Sequence, residues 1–171
     1  MEHKIEYVEN DLVRIAKREN NIRRKYLVVN PLQGKHVPVV PSKALKLFTD
    51  LADVFRNEYK NEKLLLVGFA ETATAIGAQA AISVGAKYIQ TTREVIPNVE
   101  YLFFSEEHSH ATEQKLVKDD IDSIADEIDR IVFVEDEVTT GNTILNIINI
   151  LDREYTGKFK FNVVDELGDV V

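Results

Sequence analysis

The residues best suited to chemistry follow an apolar segment in the second half of the chain. The acidic pair Glu135 and Asp136 comes directly after four apolar residues, 131–134. A polar turn then opens an apolar-periodic helix pattern and contains Thr139, Thr140, Gly141, Asn142 and Thr143. Helix N-termini bind anions, and glycine lets a backbone approach a phosphate closely. Carboxylates beside a phosphate turn predict a ribose-phosphate site with a divalent cation nearby, and a plain strand-to-helix turn is the alternative.

The elements that position these residues alternate between short apolar runs and helical patterns. Parallel strands are predicted at 64–69, 88–92, 131–134 and 159–164. Amphipathic helices are predicted over 72–83 with an end at Gly85, over 119–130, and from residue 144 to 151. The pattern predicts an α/β fold with a mainly parallel central sheet flanked by helices. Ligands of such sheets bind beyond the carboxyl ends of the strands.

The part of the chain before residue 64 contains a segment that could lie over such a site. Residues 26–41 predict a strand that leads into an irregular, proline-rich loop. Pro41 opens a predicted helix with Ser42 as its N-cap. One side of that helix carries Leu45, Phe48, Leu51, Ala52, Phe55 and Tyr59. Because no linker or repeat marks a boundary, we expect a single domain over 1–171, with a hood or N-terminal extension at 1–41 and a core at 42–165.

The composition and net charge exclude several classes of protein and several kinds of site. The chain of 171 residues has a formal charge of -8, which disfavours nucleic-acid backbones as partners. The cluster of Arg23, Arg24 and Lys25 is the exception and is more typical of a solvated surface. Absence of cysteine excludes disulfides and thiolate metal sites. No apolar run is long enough to span a bilayer, and no signal-peptide pattern opens the chain, so we expect a cytoplasmic protein without a membrane partner.

Residues 131–143, IVFVEDEVTTGNT, closely resemble the signature of the type I phosphoribosyltransferases. With NPLQGKH, GFAETATAIG, TTRE and EEHSHATE, the likeness extends over most of 28–150. These strings are most similar to orotate-like phosphoribosyltransferases associated with bacterial tellurite-resistance operons. Purine-salvage members often carry an acid at the first position of the phosphate loop. Thr139 stands there in this chain, which argues against a hypoxanthine-guanine enzyme.

The resemblance implies binding roles for three groups of residues. Glu135 and Asp136 would hold the ribose 2- and 3-hydroxyls of 5-phosphoribosyl-1-pyrophosphate (PRPP), and the turn at 139–143 would hold its 5-phosphate. An earlier turn would bind pyrophosphate and consists of Ala70, Glu71, Thr72, Ala73 and Thr74. An ordinary capped helix is the alternative for that turn. The implied cofactor is Mg²⁺, held by Asp136 or Glu135 together with PRPP.

A further implied element is a mobile loop that closes over the reacting centre. Residues 93–118 lack a clear period and follow the second predicted strand, which is where such a loop belongs. At its start, the guanidinium of Arg93 would clamp pyrophosphate as a catalytic group. Glu107, His108 and His110, next to Glu106, are candidates for a lid or for handling the base, with a solvated loop or a weak metal site as alternatives. His36 has no assigned role.

The implied reaction transfers the phosphoribosyl group from PRPP to a nitrogenous base, with release of pyrophosphate and dependence on Mg²⁺. The partners would be PRPP, a nucleobase-like acceptor and a second copy of the chain in a homodimer. A regulator or accessory subunit that binds PRPP without catalysis is the alternative. The identity of the acceptor base stays open at this point.

Overall fold

The computed structural model describes residues 7–17, 19, 25–35, 37–104, 114–138 and 140–165. Predictions that fall on the other residues lie outside the described part, and this holds for Arg23, Arg24, His36, Thr139 and 105–113. The elements are α1 (Glu9–Leu12), β1 (Arg14–Lys17), β2 (Tyr26–Val29), α2 (Pro41–Arg56), β3 (Leu64–Gly68), α3 (Thr74–Val84), β4 (Lys87–Gln90), β5 (Tyr101–Phe103), β6 (Lys115–Val117), α4 (Lys118–Asp122), β7 (Arg130–Glu135), α5 (Asn142–Glu154) and β8 (Lys160–Asp165).

Among the described residues, the central sheet contains four strands in the order β4-β3-β7-β8, and every neighbouring pair is parallel. All five residues of β3 are buried, as expected for a strand covered on both faces. The predicted parallel sheet flanked by helices is confirmed, with strand ends that differ from the predicted ones by one or two residues. Within the described part of the chain, no helix is both long and apolar enough to cross a bilayer.

The sheet separates two apolar cores. Helices α2 and α3 cover one face, where Phe55 and Leu66 are fully buried. Helix α5 and the β5–β6 strands lie over the other face, where Phe133 and Leu65 are fully buried. Helix α3 lies close to the sheet because Gly77 has no side chain. A Cβ at Gly77 would meet the Cα of Gly68 at 3.2 Å and the ring of Tyr88 at 2.8 Å.

Two details of α2 differ from the prediction. Val40 is the N-cap and no side chain caps the helix, so the prediction of Ser42 as cap is wrong. Pro41 occupies the first turn, where its fixed φ suits a helix and its missing N–H costs no hydrogen bond. Leu45 is 47% exposed, whereas Ala44 and Leu47 are buried. The other residues predicted for the apolar side are buried as expected, so the prediction is wrong only at Leu45; they are Phe48, Leu51, Ala52, Phe55 and Tyr59.

The helix predicted over 119–130 is wrong. Helix α4 ends at Asp122 and is followed by a short 3₁₀ turn at Ala125–Glu127. Arg130 already belongs to β7, where it pairs in register with Leu64. The isoleucines between the acidic residues have helical spacing, which is why the sequence predicted an amphipathic helix. Pairing with β3 and β8 places the last residue of that pattern, Arg130, in β7.

The segment 93–118 is not free of regular structure, in contrast to the prediction. Strands β5 and β6 form an antiparallel pair in which Leu102 faces Leu116. An antiparallel bridge between Thr92 and Lys115 joins this pair to the end of β4. A separate two-stranded antiparallel sheet, β1–β2, precedes the loop that leads into α2.

Candidate functional site

The acidic pair lies where the carboxyl ends of three parallel strands meet. Strand β7 ends at Glu135, and Asp136 follows it. Residue Val134 pairs in register with Gly68, the last residue of β3. On the other side, Glu135 pairs with Asp165 at the end of β8. The turn after β3 and the turn after β7 are therefore neighbours, which is the position expected for a ligand site in a parallel sheet.

The two carboxyl groups of the pair titrate in opposite directions. Burial raises the pKa of Glu135 to about 8, with a further rise from its hydrogen bond to Asp136. Burial opposes the shift of Asp136, but hydrogen bonds from Glu135, Lys35 and Thr72 lower its pKa to about 2. The two environments therefore shift the pKa values apart, so that burial favours the protonated form of Glu135 and the hydrogen bonds of Asp136 favour its ionised form.

The turn after the acidic pair ends at the N-terminus of α5. Gly141 is the N-cap and has a φ of 71°, which a residue with a side chain adopts only with strain. The amide of Asn142 donates to the hydroxyl oxygen of Thr140 at 3.4 Å. Asn142 and Thr143 are exposed. The first amides of a helix lack intrahelical acceptors, so this turn offers donors to an anion.

The turn at 70–74 leads into α3 in the same way. Ala73 is the N-cap without a capping side chain, so an ordinary threonine-capped helix is not what this turn forms. The amide of Ala70 donates to the hydroxyl of Thr91 at 2.8 Å, and the amide Nε2 of Gln114 donates to the Ala70 carbonyl at 2.9 Å. Thr91 also donates to Gln114 at 3.0 Å. These bonds attach the turn to the end of β4 and to the residue before β6.

The loop between β2 and α2 reaches the acidic pair. The ammonium Nζ of Lys35 lies 2.8 Å from Oδ2 of Asp136. Two residues earlier in the same loop, Nε2 of Gln33 donates to the carbonyl of Thr72 at 3.5 Å. Because the hydroxyl of Thr72 also hydrogen-bonds to Asp136, this carboxylate joins three segments of the chain.

Some predicted site residues are not in contact with this centre. Arg93 is exposed and has no hydrogen-bond or ion-pair partner within the described residues. It follows Thr92, whose bridge to Lys115 places it beyond the end of β4. Glu71 is exposed as well. Thr139 and the candidates Glu107, His108 and His110 lie outside the described residues.

Among the described residues, cavities lie at opposite edges of the central sheet. One of about 400 Å³ is largely apolar, adjoins the turn at Thr140 and Gly141, and extends between α5 and β8 to Asp165. Another, of about 450 Å³, lies at the amino edge and includes Lys63 and Lys87 in its lining. The first therefore lies at the edge of the sheet that carries the acidic pair, which is where ligands of parallel sheets bind.

Three contacts at this site involve residues to which the sequence assigned no individual role. Lys35 belonged only to a string that carries the family resemblance, and Thr91 lay inside the strand predicted at 88–92. Gln114 lies in a stretch with no period and carried no local signal. The hydrogen bond from Thr91 to Gln114 joins residues that are 23 positions apart in the chain, and the bond from Lys35 to Asp136 joins residues that are 101 positions apart. Local sequence patterns therefore contain no information about these contacts.

Comparison with solved structures identifies the fold. Adenine phosphoribosyltransferase from Rhodothermus marinus DSM 4252 superposes with a TM-score of 0.60 at 14% identity, over 91% of this chain and 81% of that one. The enzyme from Thermoanaerobacter pseudethanolicus gives 0.60 at 16% identity, over 90% and 82%. The Saccharomyces cerevisiae enzyme gives 0.58 at 12% identity, over 90% and 83%. The chain thus has the type I phosphoribosyltransferase fold.

The family follows from the sequence itself. A sequence model described as "Phosphoribosyl transferase" matches residues 12–169, which is most of the chain. The chain belongs to this family and is a phosphoribosyltransferase. Among curated proteins, none matches the sequence significantly.

Proposed function

We propose that this phosphoribosyltransferase takes its phosphoribosyl group from PRPP through the three turns at the carboxyl edge of the sheet. Glu135 and Asp136 hold the ribose hydroxyls, the turn at 139–143 holds the 5-phosphate, and the turn at 70–74 holds the pyrophosphate. The observation that carries the proposal is the pairing of Gly68 with Val134, because it makes the two anion-binding helix starts neighbours of one acidic pair.

The chemistry that these residues support is displacement of pyrophosphate from C1 of the ribose by a ring nitrogen of the base. The bond from C1 to the pyrophosphate oxygen breaks with its electron pair going to that oxygen, and the nitrogen supplies the electrons of the new bond. Carboxylates that accept hydrogen bonds from the ribose fix the sugar and favour positive charge at C1. Arg93 is proposed to neutralise charge on the departing pyrophosphate.

A divalent cation fits the residues of this centre. Glu135 and Asp136 supply hard oxygen ligands of the kind that Mg²⁺ prefers. Within the described residues no group of three His, Asp or Glu side chains is placed to hold a metal. An ion with so few protein ligands takes the remainder from phosphate oxygens and water, as Mg²⁺ commonly does. Bound there, Mg²⁺ would neutralise the pyrophosphate.

The acceptor base belongs to the same proposal. The strings that resemble orotate-like enzymes of tellurite-resistance operons favour an orotate-like acceptor. Structural neighbours act on adenine according to their names, but at 12 to 16% identity they inform only on the fold. A trypanosomal neighbour, from Trypanosoma brucei, was solved with AMP, pyrophosphate and ribose-5-phosphate. Orotate and adenine are therefore the first two bases to compare.

The test is a screen of bases with PRPP and Mg²⁺, read by release of pyrophosphate. We expect release with one base or a small group of bases and none without PRPP. Calorimetry with PRPP alone reports donor binding separately. Absence of PRPP binding by the folded protein would refute the assignment of the three turns.

We also propose a homodimer and a cytoplasmic location. Both rest on the family resemblance. Light scattering after size-exclusion chromatography tests the first, and a monomer at micromolar concentration would contradict it. Cell fractionation tests the second.

A further inference from the structure

The ion pair of Lys35 with Asp136 occupies the carboxylate that the proposed function assigns to the ribose. Nζ of Lys35 lies 2.8 Å from Oδ2, and the two side chains are 34% and 20% exposed. The hydroxyl of Thr72 takes a further hydrogen-bonding position on the same carboxylate. Contacts within the protein therefore already occupy part of the acceptor capacity that ribose hydroxyls and a cation would use.

Among the described residues, local hydrogen bonds, one bond to the turn at 70–74 and apolar packing hold the turn that carries Lys35. Asn30 Oδ1 accepts from the amide of Leu32 at 2.9 Å, and the Gln33 amide donates to the Asn30 carbonyl at 3.3 Å. Nε2 of Gln33 donates to the carbonyl of Thr72 at 3.5 Å, and Leu32 packs against the core. These contacts do not involve the Lys35 side chain, whose ammonium group reaches Asp136 at the end of a flexible stem. The ammonium group can therefore leave Asp136 while the turn keeps these contacts.

We propose that Lys35 is a resident counter-ion of Asp136, which it releases when a divalent cation binds at the acidic pair. The ammonium group supplies the positive charge that this centre needs while the metal is absent. When the metal binds, the ammonium group of Lys35 withdraws from the carboxylate. The physiological meaning of this inference rests on the proposed function. The competition between Lys35 and a divalent cation for Asp136 can nevertheless be measured without PRPP or a base.

The competition can be measured with Mn²⁺ alone, without PRPP. The free Mn²⁺ signal in electron paramagnetic resonance gives the affinity of the full chain for this ion. Because a partly exposed ion pair contributes little, we expect Lys35→Met to bind Mn²⁺ about fivefold more tightly than the wild type. Asp136→Asn in the same background should remove the gain.

Two matched variants distinguish competition at Asp136 from the general effect of the protein's net charge on Mn²⁺ affinity. Lys35→Arg keeps a cation at the same place, and its affinity for Mn²⁺ should stay within about twofold of the wild type. Lys43→Met removes an exposed lysine from the first turn of α2 and should also change the affinity by less than about twofold. Circular dichroism checks that each variant is folded, and Lys35→Gln replaces Lys35→Met if the latter is not.

The outcomes distinguish this inference from the proposed function. Unchanged or weaker Mn²⁺ binding by Lys35→Met, or an equal gain in Lys43→Met, would overturn the counter-ion role even if PRPP binds normally. Conversely, a wild-type protein that fails to bind PRPP while Lys35→Met shows the gain would leave the counter-ion role intact and refute the donor assignment.

Discussion

The acidic pair combines two environments within two residues. Glu135 ends a buried strand, and burial raises its pKa, whereas hydrogen bonds from Lys35 and Thr72 lower the pKa of Asp136. Different contacts thus shift the pKa values of neighbouring carboxyl groups in opposite directions, which is a common feature of functional sites.

Replacing both acids should remove ligand binding and leave the fold intact. We expect Glu135→Gln with Asp136→Asn to weaken PRPP binding by more than about tenfold, because the carboxyl oxygens that accept hydrogen bonds from the ribose are lost. Calorimetry measures the affinity and thermal melting checks the fold. Unchanged affinity in the folded double variant would contradict the ribose assignment.

The raised pKa of Glu135 predicts how stability depends on pH. Between the ordinary value of 4.5 and about 8, the folded protein holds a proton that the unfolded chain has released. Stability should therefore fall as pH rises through this window. Glu135→Gln cannot titrate and should show a flatter dependence in urea unfolding measured from pH 5 to pH 8. Parallel curves for variant and wild type would mean that Glu135 titrates normally.

Arg93 allows a kinetic test. It is exposed, so Arg93→Ala should leave the melting temperature unchanged. If the guanidinium binds the pyrophosphate as it gains charge, kcat should fall more than KM for PRPP rises. Steady-state kinetics with the base found in the screen measures both. Lys60→Ala, an exposed cation near the opposite edge of the sheet, is the control and should behave like the wild type.

Helices α3 and α5 each begin at a turn beside the acidic pair, but they are positioned differently. Helix α5 begins at Gly141, whose left-handed φ turns the chain after β7. Helix α3 is positioned by the contact of Gly77 with Gly68 and Tyr88. The Tyr88 hydroxyl also donates to the Thr74 carbonyl at 2.9 Å, in the first turn of α3.

Enlarging Gly77 should therefore move α3 away from the sheet. A Cβ there meets backbone as well as the ring of Tyr88, so we expect Gly77→Ala to destabilise the protein by about 1 to 3 kcal/mol. Urea unfolding measures the loss. Ala75→Ser, at an exposed position of the same helix, should have little effect. A stability equal to the wild type would show that the helix has room to shift.

The whole molecule consists of two cores that share one sheet. Successive residues of β3 point to opposite faces, so that Leu65 packs into one core and Leu66 into the other. Neither core is separable from the sheet, so we expect the molecule to unfold cooperatively.

Large truncations in either core should then have equivalent consequences. Phe55→Ala and Phe133→Ala each remove a fully buried ring and should each cost about 3 to 5 kcal/mol. Both variants should unfold in one transition that is the same by circular dichroism and by tyrosine fluorescence. Two separate transitions in either variant would mean that the cores are independent.

The sequence by itself determined the strands of the central sheet, helices α3 and α5, and the two turns proposed to bind anions. Strand and helix periods are local, and turn residues such as Gly85 and Gly141 act through their own backbone angles. For the same reason it predicted the acidic pair, which follows directly from the end of an apolar run.

Only the tertiary structure decided which segments meet at that pair. Pairing of β7 with β3 and β8 shortened the helix predicted before it, and an antiparallel bridge from Thr92 ordered part of a segment without periodicity. Lys35 contacts Asp136 across 101 residues. Contacts of this kind depend on the complete fold, because neither partner has a local pattern that indicates the other.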